Sequence, residues 1–294
     1  MDQAASLRLA AASAHLGKLE AKKAISCIAV ASGKGGVGKT FFTVNLAIAM
    51  HQLNKRVLIV DADLGLANAD IILGVNPKFS LQDAIFRGKA LSEIVVETPY
   101  GVDLIAASSG SREMVSMGET RISMIIQDLL RFASNYDVLI FDCSSGIHSD
   151  VTAFLKLAPM NLIVANPTPT SIMDVYALLK IIHQSQICDN PGLIVNMCDS
   201  EDQGKKVEET LNKVAKLYLQ NQLVLLGTLP RSKHVNYATS IRKPVMALNE
   251  NEDICRRFRD IAKTVLHKDL AKTKLGELPM DGLVKDLINA ERKH

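Results

Sequence analysis

The chain has 294 residues, of which 48% are hydrophobic and 22% charged, enough apolar material for one large α/β domain or two small ones. Its formal net charge of +3 gives no strong nucleic-acid signal, and its apolar runs fall short of the roughly 18 residues that cross a bilayer. The cysteines occur singly and without CxxC spacing, which favours reduced thiols in a cytoplasmic protein over a disulfide framework.

The first predicted strand, Ile25 to Ala31, leads into a glycine-rich loop with the complete phosphate-loop pattern GxxxxGK followed by Thr. Glycines allow positive φ and leave backbone N–H groups open to an anion, and a helix beginning near Lys39 adds the positive end of its dipole. Lys39 should reach the β and γ phosphates, and the Thr40 hydroxyl should lie on Mg²⁺. The sequence therefore predicts a nucleoside triphosphate site formed by Gly33, Lys34, Gly35, Gly36, Val37, Gly38, Lys39, Thr40 and Phe41.

The next predicted strand, Arg56 to Asp61, ends at two carboxylates, Asp61 and Asp63. Their spacing places both on one side of an extended segment. Hydrolysis of a γ-phosphate depends on positioning and charge neutralisation, so one carboxylate near Mg²⁺ and one near the attacking water are the expected parts. The alternative is that these residues cap the next turn.

A later apolar run, Asp137 to Asp142, also ends on an aspartate. This is the Walker B arrangement, in which the carboxylate stands beside the metal. We therefore predict Thr40 and Asp142 around Mg²⁺, with one of Asp61 and Asp63 near the metal and the other near the attacking water.

The remaining predicted strands alternate with helical patterns and are almost continuously apolar, as expected for strands that helices cover on both faces. They are Val102 to Ala106, Asn161 to Ala165, Gly192 to Asn196 and Leu223 to Leu229. This alternation predicts an α/β fold with a doubly wound, mainly parallel sheet and helices on both faces. Asn196 ends one of the strands, where its amide could both donate to and accept from an adenine edge or simply form a turn.

Two flanks lie outside this predicted core of residues 24–269. Residues 1–23 show no strand pattern, and residues 270–294 contain one amphipathic helical pattern. Its apolar stripe repeats at i, i+3, i+4, i+7 and i+8 and consists of Met280, Leu283, Val284, Leu287 and Ile288. Such a stripe packs either on protein or on a lipid interface, and the sequence leaves both open.

The second lysine of the loop, Lys34 in KGGVGKT, resembles the deviant Walker A loop of the MinD/ParA ATPases. The resemblance implies a MinD-like P-loop NTPase that binds ATP or ADP with Mg²⁺ and dimerises with ATP at the interface. Lys34 would then cross to the partner's phosphates instead of being a solvated loop lysine. It also implies that Lys34, Asp63 and Asp142 take part in catalysis, with Asp63 positioning the water, and that Asp61 acts on the Mg²⁺ shell. By the same resemblance, adenine meets Asn196, Pro230 and Arg231.

The N-terminal pattern DQAxxLR resembles the activator motif of the FlhG/FleN family, the MinD-like regulators of flagellar number. It is formed by Asp2, Gln3, Ala4, Leu7 and Arg8. The resemblance implies that this segment stimulates an FlhF-type GTPase, and that the chain acts on a flagellar switch-complex protein or a flagellar transcription activator. It further implies slow, regulatory ATP hydrolysis and ATP-dependent peripheral association of the C-terminal helix with the inner face of the cell membrane.

Two other classes stay open at this point. A ParA-type DNA partition ATPase would need a basic surface on the dimer and salt-dependent DNA binding. A metabolic P-loop enzyme of the amidotransferase or dethiobiotin-synthetase kind would need a pocket for a small-molecule acceptor.

Overall fold

The computed structural model describes residues 25–63, 68–107, 119–219, 222–248, 252–267 and 272–273. The N-terminal motif at Asp2, Gln3, Ala4, Leu7 and Arg8 lies outside the described residues, and so does the stripe Met280, Leu283, Val284, Leu287 and Ile288. The roles assigned to both segments therefore stay predictions.

The described chain alternates strands and helices. Its strands are β1 (Ile25–Ser32), β2 (Val57–Ala62), β3 (Val95–Glu97), β4 (Asp103–Ile105), β5 (Val138–Ser145), β6 (Met160–Ala165), β7 (Gly192–Cys198), β8 (Val224–Pro230) and β9 (Lys272–Thr273). Its α-helices are α1 (Lys39–Gln52), α2 (Ala69–Leu73), α3 (Leu81–Arg87), α4 (Leu91–Ile94), α5 (Glu119–Ala133), α6 (Ser149–Leu157), α7 (Pro169–Gln184), α8 (Glu201–Tyr218), α9 (Lys233–Ser240) and α10 (Asp253–His267). A 3₁₀ turn covers Val245–Ala247.

The strands form one sheet in the order β3-β4-β2-β5-β1-β6-β7-β8. All neighbours from β4 to β8 along this order are parallel, while β3 joins the edge antiparallel to β4. The predicted doubly wound, mainly parallel sheet is confirmed. The sequence did not indicate β3, because three residues that directly follow a helix are too short to show a period of two.

The predicted C-terminal segment enters the sheet at one point. Lys272 and Thr273 of β9 pair antiparallel with Ser26 and Ile25 at the start of β1. The segment beginning at residue 270 thus adds two residues to the sheet, which its polar composition did not indicate.

The sheet separates two hydrophobic cores, and alternate residues of each strand face them. In β1, Cys27 and Ala29 pack into the core formed with α3 to α8, whereas Ile28 and Val30 pack into the core formed with α1, α2, α9 and α10. Because helices cover both faces, the central strands are apolar at almost every position. This explains the uninterrupted apolar runs of the sequence.

Helix α1 is buried around most of its circumference, between the sheet and α10. Phe42 lies 6.0 Å from Phe258 of α10, and Phe41 lies 6.3 Å from it, both measured between ring centroids. Asn45 of α1 accepts a hydrogen bond of 3.0 Å from Met246 N on the 3₁₀ turn. The first residue of α1, Lys39, is therefore held in place by a helix that packing fixes along its length.

Among the helices in the described part of the chain, none combines the length and apolarity that crossing a bilayer requires.

Candidate functional site

The phosphate loop connects the carboxyl end of β1 to the first turn of α1. Gly36 and Gly38 have φ of 81° and 87°, a left-handed region that side chains with a Cβ rarely adopt. Gly38 is the N-cap of α1, and its carbonyl accepts a hydrogen bond of 2.8 Å from Phe42 N. The loop thus has the strand–loop–helix context that anion binding by backbone N–H groups requires.

Lys39 forms a buried ion pair with Asp142 at the carboxyl end of β5. Lys39 Nζ lies 2.9 Å from Asp142 Oδ1, with side-chain exposures of 7% and 1%. Thr43 Oγ1 donates to the same oxygen at 2.7 Å. Burial would lower the pKa of Lys39, but the Asp142 carboxylate offsets this and the pKa is raised. Lys39 is therefore a charged ammonium at the start of α1, ready to interact with phosphate oxygens.

The second oxygen of Asp142 bears on the predicted Mg²⁺ site. Asp142 Oδ2 is buried and accepts no hydrogen bond from the described residues, a state that is rare for a buried carboxylate oxygen. Thr40 is half-buried at the adjoining end of the phosphate loop, and Lys39 Nζ donates to its Oγ1 at 3.4 Å. Carboxylate and hydroxyl oxygens suit Mg²⁺. The residues present therefore fit the predicted metal.

Asp61 lies beside Asp142, because the two residues are in register on β2 and β5. Its carboxylate accepts from three backbone N–H groups: Asp63 at 3.0 Å, Asn68 at 3.2 Å and Ala69 at 3.3 Å. Burial, followed by the charge of Asp142, raises the pKa of Asp61 to about 7. Asp61 thus organises the start of α2 and the position of Asp63, as the capping alternative predicted. Its action on the Mg²⁺ shell stays a prediction, as does the water-positioning role of Asp63.

Lys34 contacts a helix start on the other side of the loop. Its Nζ donates a hydrogen bond of 2.7 Å to Thr170 Oγ1 in the first turn of α7. Its backbone carbonyl accepts a hydrogen bond of 3.0 Å from Ser32 Oγ. A Cβ on the preceding residue, Gly33, would overlap the backbone of Asp174 in the same helix. The loop therefore lies directly against α7, with Lys34 half-exposed at its edge.

The residues predicted to contact adenine lie at the carboxyl ends of β7 and β8. Asn196 Nδ2 donates to Val37 O at 2.8 Å, so its amide contacts the phosphate loop itself. Pro230 pairs with Cys198 across the two strands, and Arg231 Nε lies 3.2 Å from Asp199 Oδ1, with both side chains exposed. The structure brings these strand ends next to the loop, while the adenine contact stays a prediction.

Sequence reasoning missed two threonines at this site. Thr43 follows Lys39 by one helical turn, and the i, i+4 spacing could have indicated that both reach the same partner. Thr170 carries no such signal, since it is 136 residues from Lys34. Only the packing of α7 against the loop brings them together.

The comparisons with known proteins agree with this geometry. The ParA family model, described as NUBPL iron-transfer P-loop NTPase, matches residues 23–266. The antiactivator FleN of Pseudomonas aeruginosa is 35% identical over 82% of this chain and 86% of its own length. The flagellum site-determining protein YlxH of Helicobacter pylori is 32% identical over 87% and 86%. The septum site-determining protein MinD of Pyrococcus horikoshii, solved as a complex with Mg-ADP, superposes with a TM-score of 0.69 at 21% identity, covering 85% of this chain and 100% of that one.

Proposed function

Because the chain belongs to the MinD/ParA family of P-loop ATPases, where it is similar to the FleN and YlxH flagellar proteins, we propose that it is an ATP-dependent dimerising regulator of flagellar number and placement. It is an ATPase by family and fold. The observation that carries the proposal is the charged Lys39–Asp142 pair beside the phosphate loop, in a chain similar over four fifths of its length to a protein named as an antiactivator.

The chain's own residues divide the work of hydrolysis. The loop N–H groups and Lys39 bind and neutralise the phosphates, while Asp63 orients the attacking water. Thr40 and Asp142 would hold Mg²⁺, which when bound neutralises charge that develops on the phosphate oxygens. The loop, Lys39 and Asp63 thus contribute positioning and electrostatics.

Lys34 is the residue that connects the phosphate loop with the proposed dimer. This lysine lies at the edge of the loop and contacts α7 of its own chain through one hydrogen bond to a hydroxyl, a partner that phosphate oxygens can replace because they are charged acceptors. A second copy that brings its Lys34 to the site would also enclose the nucleotide and exclude water. We therefore propose that ATP draws Lys34 from Thr170 to the phosphates of the partner subunit.

The test compares Lys34→Ala with Thr170→Val, which removes the same hydrogen bond but leaves the lysine. Lys34→Ala should keep ADP affinity within about 3-fold and lose ATP-dependent dimers, measured by light scattering. Thr170→Val should still dimerise. Lys39→Ala should lose binding of both nucleotides, since it removes the cation that serves its own phosphates. Unchanged dimers in Lys34→Ala would contradict the proposed function of this lysine.

The relatives and the two flanking segments indicate the cellular partners. The relatives are named as an antiactivator and as a flagellum site-determining protein, which supports a flagellar transcription activator or a switch-complex protein as a partner. The motif at residues 2–8 supports an FlhF-type GTPase. The apolar stripe at residues 280–288 supports ATP-dependent peripheral association with the inner face of the cell membrane.

Neither iron transfer nor DNA partition is proposed. The described residues contain no group of three or more Cys, His, Asp or Glu side chains arranged to hold a metal ion, and four of the five cysteines are buried. The net charge of +3 does not single out a DNA-binding surface.

A further inference from the structure

Asn196 lies in an irregular part of β7. In the pairing with β8, Val195 opposes Thr228 and Cys198 opposes Pro230, so three steps along β7 match two along β8. The extra residue makes a β-bulge, and Met197 within it has a positive φ of 60°, which is uncommon for a residue with a side chain. Bulges redirect side chains, often beside functional sites. Here the bulge accompanies a buried polar side chain at the edge of the phosphate loop.

Asn196 is 7% exposed, and both ends of its side-chain amide are hydrogen-bonded. Nδ2 donates to Val37 O at 2.8 Å, and Oδ1 accepts from Met197 N at 2.9 Å. A Cβ on Gly38 would overlap Nδ2. The amide thus contacts the Val37–Gly38 peptide, which is followed by the peptide that leads into Lys39.

The direction of that peptide follows from its geometry. The described chain has no cis peptide bonds, and a trans peptide holds its carbonyl and its N–H on opposite sides. Since Asn196 holds the Val37 carbonyl toward β7, the Gly38 N–H points away from β7. A fixed N–H orientation is what a backbone anion site needs, because it removes the cost of reorienting the dipole when the anion binds.

We propose that Asn196 is a positioning residue of the phosphate loop, which orients the Gly38 N–H toward bound phosphates. The inference rests on the proposed function, because it takes the loop to bind phosphate. It differs from the predicted adenine contact, because an adenine contact affects only ligands that carry a base. Positioning of the loop affects every ligand that carries a polyphosphate.

The test uses inorganic tripolyphosphate, which has neither base nor ribose, alongside ATP. Affinities of both are measured by titration calorimetry for the wild-type protein, Asn196→Ala and Asn196→Asp. Asn196→Ala leaves the buried Val37 carbonyl without a partner, so both affinities should fall about 10-fold or more and by the same factor. Asn196→Asp keeps the size and the acceptor for Met197 N, but it places a second oxygen against Val37 O. It should weaken both ligands at least as strongly.

Asn212→Ala is the matched control. Asn212 also bridges backbone groups, donating to Leu223 O at 3.0 Å and accepting from Leu223 N at 2.8 Å, but it does so between α8 and the start of β8. Its loss should lower the melting temperature and leave tripolyphosphate affinity unchanged. Circular dichroism establishes that each variant is folded. If Asn196→Ala does not fold, the neutral Asn196→Ser replaces it, because Asn196→Asp also adds a negative charge that repels polyphosphate.

The outcomes separate the inference from the proposed function. Positioning is supported if the Asn196 variants lose affinity for ATP and for tripolyphosphate by the same factor, while Asn212→Ala keeps its tripolyphosphate affinity. A folded Asn196 variant that binds tripolyphosphate like the wild-type protein but binds ATP weakly overturns it, and leaves Asn196 as a base contact. Failure of the wild-type protein to bind either ligand overturns the proposed function, and the inference with it.

Discussion

At the scale of single residues, Asp61 and Asp142 lie side by side on β2 and β5 but differ in their partners. Asp61 accepts three backbone N–H bonds. Asp142 receives a lysine and a threonine on one oxygen, while the other oxygen is buried without a partner among the described residues. The two carboxylates therefore have different expected roles, with Asp61 supporting the loop that carries Asp63 and Asp142 available to a cation.

The raised pKa of Asp61 makes a prediction about stability. The pKa is about 7 in the folded chain and 3.8 in the reference state, so between these values the folded protein binds a proton that the unfolded chain has released. The Asp61 contribution to the free energy of unfolding should therefore be present below about pH 4 and be lost as pH rises through 7. The carboxylates of Asp83 and Asp253, whose pKa values are lowered by hydrogen bonds, act in the opposite sense.

The measurement is urea unfolding of nucleotide-free protein in chelator between pH 4 and 8, for the wild-type protein and Asp61→Asn. The contributions of Asp83 and Asp253 are common to both proteins and cancel in the difference. Asn has no proton to lose, so the variant should lack the decline that Asp61 causes, whatever its absolute stability. Parallel curves for the two proteins would show that Asp61 does not titrate in this range.

At the scale of elements, the phosphate loop is held between α7 and the end of β7. Gly33 packs against the α7 backbone without space for a Cβ, and Gly38 packs against Asn196 in the same manner. The helix that follows, α1, is fixed by packing on α10. Three elements that are remote in sequence therefore determine the shape of one loop.

This arrangement predicts different results for alanine substitutions at two glycines of the loop. In Gly33→Ala the new Cβ would overlap the Asp174 backbone, so the loop or α7 must shift, at a cost of about 1–3 kcal/mol in the free energy of unfolding. ADP affinity should fall with it. In Gly35→Ala the nearest neighbour of the Cβ is Ser145 Oγ at 3.6 Å, an ordinary contact at an exposed position, so stability should change by less than about 0.5 kcal/mol.

Thermal and urea unfolding with ADP titration on the same preparations provide the check. Since neither glycine has a positive φ, backbone strain does not complicate the comparison. Equal stability and equal ADP affinity in the two variants would mean that α7 does not support the loop.

Most of the element pattern was predictable from local sequence. Seven strands could be located within a few residues because they are mostly apolar runs, and the helix beginning at Lys39 was indicated by the loop motif. The short edge strand β3 and the pairing of β9 with β1 were not, because their pairing depends on neighbours far along the chain. The order of the strands could not be read from the sequence either, since consecutive strands such as β4 and β5 are not neighbours in the sheet.

At the scale of the whole molecule, the N-terminal segment gives the sharpest test of the cellular role. Deleting residues 1–10 should leave a folded ATPase, because the first core strand begins at Ile25, and should abolish stimulation of an FlhF-type GTPase. Arg8→Ala in the full chain is the matched single substitution and should reduce the stimulation if its charge takes part. GTP hydrolysis by the partner is measured, with ATP hydrolysis by the chain as the control. Full stimulation by the truncated protein would contradict the activator role of this segment.

The sequence by itself determined that this protein has a P-loop nucleotide site, because a phosphate loop with a second lysine, flanked by a strand and a helix, is a local pattern that depends on neighbouring residues alone. It also located Asp61, Asp63 and Asp142, since parallel strands bring their carboxyl ends to one edge of the sheet. Only the tertiary structure decided what each side chain contacts. Lys34 meets Thr170 and Asn196 meets Val37 across 136 and 159 residues, and contacts of that separation arise from the packing of helices and strand ends, which no local pattern encodes.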